Sequence, residues 1–350
     1  MNFKRKTLSL MGIMVLMLGI LTACGESPAS NKEAGGSAEA KNVYEAPQKF
    51  LRITSGPMGS GWYISTAGIM EAWMASFEDL NVSQIEGGGV GNLKIVNEGK
   101  DAQVGVSYSP ELNEALTGTG AFEGDKKENI RIIASLYPAV NHVYTLAERD
   151  DINSIEDLLD KRLFLGPRES GGVISFWKVM EEYGITEETF KENGGELVYG
   201  SWSDGATQLK DGIVDAWFGA SSLRSGNPAM TEIDVTKSVK IVPWDEEILK
   251  SLEEKENGIG QGYLEGGIFK EHPDKVKGFI LDTVLFVSKD LEDEFVYHLT
   301  KSFWENQDLI SKQVPERSKD FTLETALSNV NPEYLHPGAK KYYKEAGVIE

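Results

Sequence analysis

Three loops rich in glycine and serine carry the groups best suited to hold a small anion: Gly56–Trp62, Gly87–Asn92 and Gly166–Gly172. Each stands where an apolar strand pattern gives way to a helical one. Backbone N–H groups at a helix start are unpaired and the helix dipole is positive there, so such loops suit a carboxylate or phosphate. The candidate contacts are Ser60, Gly61, Trp62 and Tyr63 in the first loop, Gly88 and Asn92 in the second, and Ser170 and Gly171 in the third. Ser107, Tyr108 and Gly219 stand at the ends of strand-like runs and join the list. Arg168 could grip a carboxylate with both arms of its guanidinium, and it equally fits a surface pair with Glu169. Arg224, within Ser221-Ser222-Leu223-Arg224-Ser225-Gly226-Asn227-Pro228, is a second cation. Trp62, Tyr63, Tyr108 and Trp202 could wall a pocket or fill a core. If neither arginine serves, Glu169 and these rings suit a ligand amine instead.

Catalytic patterns are scarce. Gly105-Val106-Ser107-Tyr108-Ser109 lacks the closing glycine of a nucleophile elbow, and Ser175-Phe176-Trp177-Lys178 lacks the companion motifs that S-x-x-K enzymes carry. No dinucleotide fingerprint or Walker loop occurs. His142, His272, His298 and His336 are scattered without metal-ligand spacing. Asp150-Asp151, Asp290–Glu294 and the Glu246–Glu256 stretch read as solvated faces. The expectation is a binding protein with no catalytic residue, no metal and no cofactor.

Cys24 is the single cysteine. Lys4, Arg5 and Lys6 precede an apolar run from Leu8 to Leu21, and Leu21-Thr22-Ala23-Cys24 follows the pattern of a bacterial lipobox. The run is shorter than the ~20 residues that span a bilayer. Residues 1–23 therefore read as a lipoprotein signal peptide, with Cys24 lipidated and the chain anchored on the outer face of the cell membrane. With that thiol occupied, thiol catalysis and cysteine metal sites are excluded. Acidic residues outnumber basic ones by 55 to 35, for a formal charge of −20. Such a surface repels nucleic acid and anionic headgroups.

The elements that must position these residues follow. Residues 24–49, rich in Ser, Ala, Gly, Glu and Lys, form a flexible stalk. From Phe50 the chain alternates strand, turn and amphipathic helix, which predicts an α/β protein with a largely parallel sheet. Strands are expected at Phe50–Ser55, Asn81–Glu86, Gln103–Ser107, Ile130–Leu136, Asn141–Ala147, Arg162–Leu165, Glu196–Tyr199, Val214–Phe218, Lys240–Val242 and Thr283–Val287. The length suits two lobes, expected at 50–140 with 260–350 and at 141–259, with strands crossing near His142 and Thr283.

These segments together resemble the TAXI family of solute receptors of TRAP transporters (tripartite ATP-independent periplasmic transporters). The most specific match is Leu335-His336-Pro337-Gly338-Ala339-Lys340-Lys341-Tyr342-Tyr343-Lys344-Glu345-Ala346-Gly347. Ile132-Ile133-Ala134-Ser135-Leu136-Tyr137-Pro138, Phe164-Leu165-Gly166-Pro167, Lys210-Asp211-Gly212-Ile213-Val214-Asp215-Ala216-Trp217-Phe218 and Gly262-Tyr263 also look like family segments. The resemblance implies a two-lobe, periplasmic-binding-protein-like fold that closes on a small solute and delivers it to an ion-gradient-driven permease. A lipoprotein that presents its closed form to a membrane sensor kinase would use the same closure. The ligand loops depart from the family pattern: Gly59-Ser60-Gly61-Trp62-Tyr63 replaces Gly-Gly-Thr-Tyr-Tyr, and Gly89 and Gly91 replace a Ser and a Glu. Gly166-Pro167-Arg168-Glu169-Ser170-Gly171-Gly172 replaces Gly-Pro-Pro-Gly-Ser-Gly-Thr. Hydroxyls that glutamate-binding members use are thus lost, and a carboxylate with an apolar or cationic part is expected.

Overall fold

Apolar side chains at alternate positions set the first strand of the main sheet: Leu51 and Ile53 are buried while Phe50 and Arg52 face out. The computed structural model describes residues 44–350 apart from positions 59, 169, 256 and 257; Cys24, the leader and most of the expected stalk lie outside these. The strands of the first half are β1 (Tyr44–Glu45), β2 (Phe50–Thr54), β3 (Phe77–Glu78), β4 (Asn81–Ile85), β5 (Val104–Tyr108) and β6 (Ile130–Leu146). Those of the second are β7 (Arg162–Phe164), β8 (Glu196–Val198), β9 (Ala216–Ser222), β10 (Val239–Val242), β11 (Ile259–Leu264) and β12 (Val276–Ser288). Four helices matter for the site: α1 (Gly61–Ser76), α2 (Gly89–Glu98), α3 (Ser109–Thr117) and α4 (Gly171–Glu182).

Apart from a small β1–β3 pair, the strands form one ten-stranded sheet in the order β4-β2-β5-β12-β6-β9-β7-β8, with β10 on β6 and β11 on β12. Its spine is the antiparallel pair β6 and β12, 17 and 13 residues long, which runs through both halves of the molecule. Tyr137, Val284 and Leu285 pack in one apolar cluster with Trp73, Leu93 and Phe303. A few residues along the same strands, Val143, Phe279 and Leu281 pack in a second with Phe176, Phe218 and Trp244, and Val140 and Tyr144 in a third with Trp217 and Phe269. The two lobes thus share their central strands, and the clusters change partners between Tyr137 and Val140 on β6 and between Leu281 and Val284 on β12. Pro138, which has no N–H to give a ladder, stands opposite Asp282 at this changeover. Burial pushes the Asp282 carboxyl up to about 6, and Asn329 Nδ2 donates to it at 2.5 Å.

Three expectations are corrected here. The sheet is mixed: β2 lies parallel to β4 and β5, and β7 to β8 and β9, but β6 and β12 pair antiparallel with every strand they meet in the sheet. The strands expected at 130–136 and 141–147 are one, because β12 pairs along the stretch between them, Pro138 included. The chain does not leave the second lobe near residue 260, since Ile259, Leu264, Phe269 and Phe279 all pack there. The Glu246–Glu254 segment is an amphipathic helix that buries Leu249 and Leu252, with its acids outward.

Candidate functional site

The first lobe brings three strand-to-helix turns to one place. Ser60 caps α1, its Oγ accepting from Tyr63 N–H at 3.2 Å. Trp62, in the first turn, donates from Nε1 to Thr283 Oγ1 of β12 at 3.0 Å and rests on Tyr108 with ring centroids 4.7 Å apart. Tyr63 is half-buried, and its carbonyl accepts from Thr66 and Gln84. Gly88, the residue before α2, faces open space. Asn92 spends its groups inside the fold: Nδ2 donates to the carbonyls of Ser55 and Val106, both at 2.8 Å, and Oδ1 accepts from Thr54 Oγ1 at 2.6 Å. It ties β2 to β5 and holds the loop in place.

The third turn, from β5 into α3, meets α4 of the second lobe. Ser107 Oγ, Ser170 Oγ and both carboxylate oxygens of Glu111 are buried with no hydrogen-bond partner, although buried polar groups are normally paired. A Cβ added at Gly89 would lie 3.0 Å from Ser107 Oγ and 3.7 Å from both Glu111 Cδ and Trp62 Cη2. One added at Gly171 would lie 1.8 Å from Glu111 Oε1 and 3.2 Å from Tyr108 Cδ2. Glycine there lets the start of α4 approach the carboxylate. Burial pushes the Glu111 carboxyl up to about 8. Burial, then Tyr137 and Glu111, hold the Tyr108 hydroxyl above its ordinary range, while Arg317 pulls it down. Tyr108 therefore lies within the influence of both Glu111 and Arg317.

Arg317 was not singled out in the sequence, and its surroundings are specific. Its guanidinium lies against Gly61 at the start of α1, where a Cβ would sit 2.4 Å from Nη1, and over the Tyr137 ring at 4.8 Å. It makes no ion pair among the described residues, and its Nε is buried without a partner. The two arginines expected to serve are already engaged. Arg168 pairs with Glu187 at 2.7 Å and stacks on Tyr199 at 3.9 Å, with its side chain 59% exposed. Arg224 pairs with the buried Asp320 at 2.9 Å. Trp202 packs on Gly166, whose φ of +83° favours glycine, and against Trp217. Gly219 makes room for the Trp217 ring. Glu169 lies outside the described residues.

Contacts across the lobes hold this region closed. Lys178 of α4 pairs with Glu114 of α3, Arg224 with Asp320, and Ser109 Oγ donates to the Gly258 carbonyl at 2.8 Å. A surface depression of about 800 Å³ lies elsewhere on the second lobe, bordered by Lys240, Trp244, His272 and Lys277. Its polar groups are engaged: Lys240 donates to the Arg149 carbonyl, His272 Nε2 accepts from Ile241 N–H, and Lys277 pairs with Glu246.

Two lobes on shared crossing strands, with helix starts from both meeting at unpaired polar groups, define a periplasmic-type solute-binding fold. The chain belongs to the NMT1-like family, which matches residues 53–347. Solute-binding proteins of this kind bind small-molecule solutes and deliver them to membrane components of transporters. Among solved structures, a protein from Bordetella bronchiseptica RB50 is similar at 14% identity, with a TM-score of 0.51 over 86% of this chain and 98% of that one. A TctC solute binding protein from Polaromonas matches at 15% identity and a TM-score of 0.44, over 78% of this chain and 89% of that one. An ancestral arginine-binding protein bound to arginine matches at 16% and 0.43, over 77% and 98%. At such identities the likeness concerns the fold.

Proposed function

We propose that this protein captures a small organic acid, an amino acid or another carboxylate, between its lobes and hands it to an ion-gradient-driven TRAP permease. In this reading it works outside the cytoplasm, tethered through lipid on Cys24. The motifs shared with TAXI receptors support the permease, and the signal-peptide pattern supports the tether. One observation carries the solute reading: Arg317, within electrostatic reach of Asp320 but in no ion pair among the described residues, presents its guanidinium at the start of α1, beside the region where Ser107, Ser170 and Glu111 hold buried polar atoms without partners. An unpaired guanidinium at a helix start is a place for a carboxylate. Ser60, Gly61 and Trp62 border it on α1, and Ser170 and Gly171 close from α4.

Calorimetry with a carboxylate found by thermal-shift screening tests this. Arg317→Ala is expected to weaken binding by ~1.5–3 kcal/mol, the worth of hydrogen bonds to a charged group. Arg168→Ala, at an exposed pair, is expected to leave the affinity within about twofold. Equal affinity of wild type and Arg317→Ala for every carboxylate bound would contradict the assignment.

A further inference from the structure

Glu111 is the one carboxylate among the described residues whose two oxygens are both buried and both without a hydrogen-bond partner. It stands in the first turn of α3, at the meeting of the two lobes, against Gly171, Gly89 and the Trp62–Tyr108 pair. The cation that faces it from α4, Lys178, is committed to Glu114. The other titratable groups acting on it are Glu114, which raises it further, and the Tyr108 hydroxyl. A methionine or leucine would fill the same volume at less cost, because a buried ionisable group without a partner opposes folding. The backbone at the start of α3 and the Lys178 charge offset its burial only in part, and the fold gives this carboxylate no side-chain partner.

We propose that Glu111 is a specificity-determining residue that receives the protonated amine of the solute, so that the solute is a zwitterion held between Glu111 and Arg317. This rests on the carboxylate-capture reading above and narrows it to amino acids and related amino-carboxylates. The chemistry of the surroundings agrees. An aromatic pair beside a carboxylate suits an ammonium group, and Ser107 Oγ and Ser170 Oγ are hydrogen-bond acceptors with no other use. Burial keeps Glu111 protonated near neutral pH until a cation arrives. Uptake of an ammonium group then displaces that proton to solvent.

The test is a thermal-shift and calorimetric panel of the common L-amino acids, each alongside its des-amino carboxylic acid and its decarboxylated amine. The expected result is that at least one amino acid binds and that its des-amino acid binds at least about tenfold more weakly. Calorimetry near pH 7 in buffers of different ionisation enthalpy should show close to one proton released per amino acid bound. Glu111→Gln, which keeps the shape, should remove that release and bring the amino acid down to the affinity of the des-amino acid. A des-amino acid that binds wild type as tightly as its parent overturns the inference while the carboxylate-capture reading stands. So does binding without proton release, which would make Glu111 a hydrogen-bond donor to a second carboxylate. Both readings fall if no member of the panel binds. The proton measurement uses wild type alone, so it holds even if the variant folds poorly.

Discussion

A buried carboxylate without a partner makes stability depend on pH in a known direction. Burial raises the Glu111 carboxyl to about 8, above its value in an unfolded chain. The folded state then holds a proton that the unfolded state releases, so the contribution is full below the usual carboxylate range and is lost as pH rises through about 8. Thermal unfolding of the solute-free protein should show Glu111→Gln matching wild type near pH 4 and melting increasingly higher than wild type towards pH 8. A difference that stays constant with pH would show that Glu111 is solvated. Glu111 and Arg317 were not legible in the sequence, because each stands among polar neighbours, Glu111 in Ser109–Thr117 and Arg317 in Glu316–Asp320, without a local motif to mark it. Their burial comes from tertiary packing against Gly171 and Gly61. Arg168 and Arg224 drew notice because they lie in glycine-rich loops, and local sequence does not show that Glu187 and Asp320 reach them. Asn92 was legible as important, but its role is to join Ser55 to Val106 within one lobe.

At the scale of elements, the start of α4 brings the second lobe against the site. Gly171 brings its backbone so close to Glu111 that a Cβ would lie 1.8 Å from Oε1. Gly171→Ala is therefore expected to hold the lobes apart: small-angle scattering should give a larger radius for the variant than for wild type, with cooperative unfolding retained. An unchanged radius with unchanged solute affinity would mean that the carboxylate swings aside and that closure does not depend on this contact. The strand-to-helix units that carry the site were readable because their period changes at glycine turns, as in β2 to α1 and β4 to α2. The mixed character of the sheet was not. Parallel or antiparallel pairing is decided by which distant strand lies alongside, and β6 meets β12 more than a hundred residues later. The same partner hides the continuity of β6 through Pro138.

At the scale of the whole molecule, charge and site fit together. The chain carries a formal charge of −20, which repels a net anion at long range. A zwitterion feels little of that field, and one guanidinium and one carboxylate suffice to orient it. Such a solute would be gripped by Arg317 and Glu111 of the first lobe and covered by Ser170 and Gly171 at the start of α4 in the second. It would stabilise the closed form in proportion to its better binding there. The most direct test is a crystal structure of the protein with the tightest-binding amino acid of the panel. The solute is expected between the lobes, its carboxylate on Arg317 and the N–H groups of α1, its amine on Glu111. A solute seated in the depression bordered by Lys240 and His272, or between the lobes with its amine turned away from Glu111, would contradict it.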